Sequence, residues 1–247
     1  MKILDENNIN SNRFEEKISF EIQDFYNHGI LPFSILCAFQ DASTKHAELL
    51  NVGFAKMIEK HLLWVTMRIK FEIVRQPKVN EMLKIVTYPS GKNMLEFDRD
   101  YVIYDINDNI IIKGQSKWCL IDSKSRKICK MIDDVKIDNN PPIFSEKFLK
   151  TESFEPINLP DLSYQISSND IDNNGHTNNT IYAKILSPII NNISDEIKFF
   201  QINFLKESYL GDRIDIYQKV DENSILFLGK LCERETSFTA KVILKNQ

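Results

Sequence analysis

The sequence predicts an α+β chain made of two copies of one unit, and three observations point to it. A long stretch of helical period is followed by several runs of period two. The same order begins again after a Pro-containing polar segment. Polar punctuation recurs at matching places in the two halves.

In the first half a short strand is expected at 18–22. Ile35, Leu36, Phe39, Ala42, Ser43, His46, Ala47 and Leu50 then recur at i, i+3 and i+4, which predicts an amphipathic helix over 31–50. At 1.5 Å per residue it would run ~30 Å, long enough to cross a broad sheet. From Leu63 the period becomes two: Val65, Met67, Ile69, Phe71 and Ile73 alternate with Thr66, Arg68, Lys70 and Glu72, as in a half-buried strand. Further strands are expected at 82–88, 95–104, 110–113 and 116–122, with turn residues at 105–109 and 122–126. Pro141, Pro142, Pro156 and Pro160 interrupt the pattern and place a linker at 137–160, between units at 1–136 and 161–247. The second unit repeats the order: a strand at 164–167, a helix to about 190, and strands at 197–206, 213–220, 225–233 and 237–244, with a turn at 221–223. Asp24 and His28 are four apart, as are Asp172 and His176, and the two pairs lie 148 positions apart. Asn80 and Glu81 at one strand end match Gly211 and Asp212 at another.

Composition bounds the function. With 43% hydrophobic and 27% charged residues over 247 positions, the chain reads as globular, with material for a real core. A net charge of −4 leaves no footprint for nucleic acid, and no apolar run is long enough to span a bilayer. The polar, acidic start (Asp5, Glu6, Glu15, Glu16) fits neither a signal nor a transit peptide. Cys37, Cys119, Cys129 and Cys232 are scattered without a CxxC spacing, so neither a disulfide framework nor a metal site is expected, and a reducing cytoplasm fits.

The chemistry-bearing stretch is 169–179, which crowds carboxylates, amides and one imidazole ahead of the second helix. Asn178 and Asn179 are candidate N-caps, so the cluster sits where free N–H groups and the helix dipole favour negative charge. Asp172, Asn174 and His176, at i, i+2 and i+4, can converge on one pocket: a carboxylate to orient, an imidazole to move a proton, an amide to hold a carbonyl. The same residues also read as a polar turn capping a helix. Glu207, at the end of the strand ahead of Ser208, adds a second carboxylate, although an exposed Glu at a strand end needs no function. Its counterpart in the first half, counted back from Asp212 and Glu81, is Gln76.

Asp172, Asn174, His176, Asn178 and Asn179 together resemble the D-x-N-x-H-x-N-N signature of the acyl-acyl carrier protein (acyl-ACP) thioesterases, the plant-type fatty acyl thioesterases and their bacterial relatives. Gln40, Asp41, Ala42, Ser43, His46 and Ala47 resemble the family's long helix. Leu63, Trp64, Val65, Arg68 and Ile69, the turn at 88–91, and Ser116, Lys117, Trp118, Ile121 and Asp122 resemble its later strands. The similarity runs in order from about 20 to about 242. It implies a double (tandem) hotdog fold, each half a curled antiparallel sheet around a long central helix. It also implies hydrolysis of the thioester between a fatty acyl chain and the phosphopantetheine arm of acyl carrier protein, with no separate cofactor. By motif position Asp172, Asn174, His176 and Glu207 are the catalytic group, the acyl tail lies in the first half, and a homodimer is compatible with the fold. Glu207 or Asp172 would activate water, His176 would shuttle the proton, and Asn174 with helix N–H groups would steady the thioester oxygen; a covalent route through a carboxylate stays open. Where many plant members have Cys after the Glu, this chain has Ser208, which argues against a Cys–His mechanism.

Other residues carry weaker expectations. Asp24 and His28 read as structural remnants of a second site, His46 as a core histidine, and Trp64 and Trp118 as core. Lys124, Arg126 and Lys127, with Lys130 behind, read as a solvated hairpin, with docking of an acidic carrier as the sharper alternative. The competing functions are an acyl-CoA thioesterase, a hotdog hydratase or dehydratase (whose motif carries a Pro that 172–176 lacks), and a non-catalytic acyl-thioester-binding module.

Overall fold

The computed structural model describes residues 13–93, 95–130, 140–231 and 235–245. The acidic start (1–12), Cys232 and the first linker positions (137–139) lie outside them. The first unit comprises β1 (Phe14–Ile18), a 3-10 turn (Ile22–Asp24), the short pair β2 (Phe25–Tyr26) and β3 (Gly29–Ile30), and helices α1 (Pro32–Leu49) and α2 (Phe54–Glu59). Strands β4 (Leu62–Ile73), β5 (Leu83–Lys92), β6 (Phe97–Tyr104), β7 (Ile110–Asp122) and β8 (Ile128–Cys129) complete it. The second comprises β9 (Leu162–Gln165), a 3-10 turn (Ser168–Asp170), α3 (Asn179–Ile190), β10 (Ile197–Phe204), β11 (Arg213–Asp221), β12 (Ser224–Leu231) and β13 (Glu235–Leu244).

Both units contribute to one antiparallel sheet in the order β1-β5-β6-β7-β4-β10-β13-β12-β11-β9, with β8 on β7. The order reads the same from either end once each first-unit strand is matched to its second-unit copy. At the centre β4 pairs with β10, Phe71 opposite Phe200, Lys70 opposite Gln201 and Ile69 opposite Ile202, which places the pseudo-two-fold axis at Lys70 and Gln201. The helices cover one face. On α1, Phe39 stacks on Tyr101 at 4.3 Å and meets Phe71 edge-on; on α3, Tyr182 meets Phe204 and Phe238. A single buried cluster runs through both units, with Phe71 stacked on Phe200 at their junction. This is the double hotdog that the resemblance implies.

The linker crosses the opposite face as a strap. Phe144 and Phe148 are buried over the Lys70 ammonium, the Ile143 N–H donates to the Asp100 carboxylate, and Gln201 donates to the Leu149 carbonyl. Burial lowers the Lys70 pKa and raises that of Asp100.

Several expectations are corrected. The first strand lies at Phe14–Ile18, where it pairs with β5, and the expected segment 18–22 turns away to leave Ile22 exposed. The two strands expected on either side of Gly114 are one, β7; the glycine marks a close approach, since a Cβ there would stand 2.2 Å from the Phe39 ring. Helix α2 was not expected. The repeat also has a different register. Asp24 and Asp170, not Asp172, are equivalent: each closes a capping box, accepting the N–H of Glu21 or of Ser167. From there β2 and β3 pair Phe25 with Ile30, whereas Ile171 bridges Thr177 across a loop one residue longer.

Candidate active site

The site begins with a turn that organises itself. The Asp172 carboxylate accepts the N–H of Asn174 at 2.8 Å, the N–H of His176 at 3.3 Å and the Asn174 side-chain amide at 3.3 Å, an Asx-type closure that holds the loop. Gly175 adopts φ +80°, open to glycine without strain, and lets the Asp172 N–H reach the His176 carbonyl at 2.8 Å. The loop then enters α3, where the Asn178 side chain caps Thr180 N–H. Ile181 N–H is taken by the Asn178 carbonyl, and Asn179 N–H, at the first helical position, has no acceptor among the described residues.

Glu207 arrives from the far side of the unit, after β10. Its Oε2 lies 3.5 Å from His176 Nε2 and 3.4 Å from the Tyr209 hydroxyl, whose ring meets the imidazole edge-on at 5.1 Å. Its Oε1 is held by the Arg126 guanidinium. Asp172, Asn174, His176 and Glu207 all line one cleft of about 730 Å³. Glu207, not Asp172, is the acid that meets the imidazole. An apolar cavity of about 470 Å³, walled by Ala47, Val52, Met57, Trp64, Phe97 and Trp118, opens beside it in the first unit and shares Asn174, Thr44 and Leu63 with the cleft. Trp64 and Trp118, expected as core, thus also wall a cavity.

Ser208 is fully buried. Its hydroxyl bridges Thr177 Oγ1 and the Tyr182 hydroxyl at 2.8 Å each, and its carbonyl accepts the Thr177 N–H, which ties the end of β10 to the loop. It is a fastener for the site. Ser208→Ala is therefore expected to lower stability by about 1–3 kcal/mol, for the hydrogen-bond partners left buried, while retaining most turnover. Thermal melting beside a steady-state assay checks this, and complete loss of activity in a folded variant would make Ser208 a reacting group instead. Burial pushes the Cys37 and Cys119 thiols up, which makes them poor nucleophiles.

The equivalent place in the first unit is filled. Gln76 stands where Glu207 does: the N–H of Lys78 bonds to Glu81 as that of Tyr209 bonds to Asp212, fixing the match. Its amide accepts from Ile30 N–H and donates to the Ser194 and Asp195 carbonyls. Gly29 stands where His176 does, and a Cβ there would lie 2.1 Å from the Asp195 backbone. His28 is exposed at a hairpin tip. His46 is buried, its Nδ1 2.9 Å from an Arg99 nitrogen and its Nε2 without a partner among the described residues, so it is only half satisfied.

Arg126 and Tyr209 are the site residues that sequence reasoning missed. Tyr209 had a signal, lying two positions after Glu207. Arg126 had none that named its partner, which lies 81 positions away in the other unit.

Two hotdog units in one chain, with an acid–imidazole pair from the second in a cleft that both units line and an apolar cavity walled mainly by the first, define the class of protein. The chain belongs to the acyl-ACP thioesterase family: the models for the family's N-terminal and C-terminal domains match residues 12–137 and 158–244. Among curated relatives, the oleoyl-acyl carrier protein thioesterase of Coriandrum sativum is 27% identical over 211 residues, covering 75% of this chain and 57% of that protein. The chain spans about half the length of the curated relatives it matches. Among solved structures, an acyl-ACP thioesterase from Bacteroides thetaiotaomicron superposes with a TM-score of 0.82 at 24% identity, covering 95% of this chain and 98% of that one. The 12:0-ACP thioesterase of Umbellularia californica superposes at 0.85 with 16% identity, covering 96% and 98%. These two likenesses carry the fold.

Proposed function

We propose that the chain hydrolyses fatty acyl thioesters of acyl carrier protein to free fatty acid and holo-carrier protein. The observation that carries this is the Glu207–His176 pair in a cleft that shares Asn174, Thr44 and Leu63 with an apolar cavity. The acyl chain enters the first-unit cavity, and the thioester carbon rests in the cleft beside Asn174. Glu207 takes a proton from a water as its oxygen attacks the carbonyl carbon. The oxyanion forms beside the Asn179 N–H and the Asn174 amide, at the positive end of α3. The proton passes to His176 and from it to the departing sulfur as the carbon–sulfur bond breaks. Asp172 shapes the loop, since its carboxylate is engaged by the backbone it organises. The units are divided by the strap that follows 136, with the tail in the first and the chemistry in the second. A cytoplasmic location is part of this reading; no helix among the described residues is long and apolar enough to cross a membrane.

A panel of acyl-carrier and acyl-CoA thioesters from four to eighteen carbons, read by free thiol, tests the reading. Thiol release is expected, faster from the carrier than from CoA at equal chain length. Hydration of a crotonyl thioester without thiol release would replace it with a hydratase, and tight binding without turnover would replace it with a binding module.

A further inference from the structure

Among the ionic contacts around the site, one crosses between the units. The β7–β8 turn carries Arg126 to the second unit, where its guanidinium holds Glu207 Oε1 and leaves Oε2 facing His176 and Tyr209. The turn is built to present this side chain. Asp122 accepts the N–H groups of Ser125 at 2.6 Å and Lys124 at 3.2 Å through its carboxylate, and the N–H of Arg126 at 2.9 Å through its carbonyl. The Ser123 N–H is anchored on the His61 carbonyl at 2.9 Å. Arg126 itself sits at φ +59°, a left-handed conformation that a side-chain-bearing residue adopts rarely.

We propose that Arg126 is a positioning residue for Glu207: the first unit, besides its cavity, supplies the clamp that aims the acid of the second. This rests on the reading of Glu207 as the base. A carboxylate on a loop after a strand end has free rotation about three bonds, and at 37% side-chain exposure little packing restrains it. Fixing one oxygen by a cation on a closed turn fixes the direction of the other. The inference also replaces the docking role considered for the basic run: Arg126 faces the cleft, and among Lys124, Arg126 and Lys127 it is the one that lines it.

The experiment uses the full chain with R126Q, R126K, E207Q and the double variant R126Q/E207Q, each assayed on a carrier-bound and on a small acyl thioester. R126Q is expected to lower kcat by about 10–100-fold on both substrates, with KM within about twofold and an unchanged melting temperature, because a half-exposed ion pair contributes little to stability. R126K should regain part of kcat. The double variant should be no slower than E207Q, since the two residues act as one unit. A rise in KM confined to the carrier-bound substrate would make Arg126 a docking residue and overturn the inference. So would an equal loss from R126Q in the wild-type and E207Q backgrounds. Full turnover in E207Q would sink the base assignment and this inference together, whereas an inactive E207Q beside an unchanged R126Q would overturn this inference alone.

Discussion

Glu207→Gln is expected to lower turnover of a carrier-bound acyl thioester by about 10²–10⁴-fold, the usual loss when a general base is removed. The amide keeps the volume of the carboxylate and can still accept from Arg126 through its oxygen, so the fold should survive and KM should move little. His176→Ala should fall in the same range, because the imidazole stands 3.5 Å from Glu207 Oε2 and is the only route in the scheme from the acid to the leaving sulfur. Asp172→Asn should behave differently. An amide oxygen can still close the loop on the Asn174 and His176 N–H groups, so a smaller loss is expected, felt through the placement of His176. Steady-state kinetics on the three variants, with circular dichroism to confirm folding, checks the ranking. An Asp172→Asn defect equal to that of Glu207→Gln would move the base to Asp172.

The second large effect concerns stability. Burial, assisted by the positive charge of Arg99, pushes the His46 pKa down to about 3 from an ordinary 6.5. Between those values the unfolded chain binds a proton that the folded chain refuses. The unfolded state then holds more protons, so stability rises with pH across this window and is lost as pH falls from about 6.5 toward about 3, by up to ~1.4 kcal/mol per pH unit. Carboxylates add their own acid lability, so the measurement is a difference. His46→Gln keeps an acceptor for Arg99 and removes the titration. Urea unfolding of both proteins at pH 7 and pH 5 should show a shallower loss in the variant, smaller on the order of 1–2 kcal/mol across those two units. Parallel losses would mean that His46 protonates without unfolding the chain.

Long periodic segments made the fold legible. Eighteen residues of α1 and twelve of β4 repeat their burial often enough for the period to stand out, whereas the six residues of α2 span less than two turns and bury only Met57. The gap expected between 113 and 116 is absent for a physical reason: Gly114 makes room for Phe39 in an unbroken strand. The site was legible where it is local. Asp172, Asn174 and His176 lie in one short loop before a capped helix, and their spacing alone brings them to one cleft. It was illegible where it depends on tertiary closure, as with Arg126. The false match of Asp24 with Asp172 came from the four-residue Asp–His spacing that both halves share by chance, since Asp24 matches Asp170 and Gly29, not His28, matches His176.

The filled pocket of the first unit has a consequence for stoichiometry. Putting an acid back at Gln76 would not give the chain a second working centre, because the position opposite it, Gly29, cannot carry any side chain against the Asp195 backbone, and the carbonyls of Ser194 and Asp195 now occupy the space. The asymmetry is locked by sterics as well as by the loss of an acid. On the proposed reading the chain therefore holds one working centre, and its first half contributes the tail cavity and the Arg126 clamp in place of a second reaction.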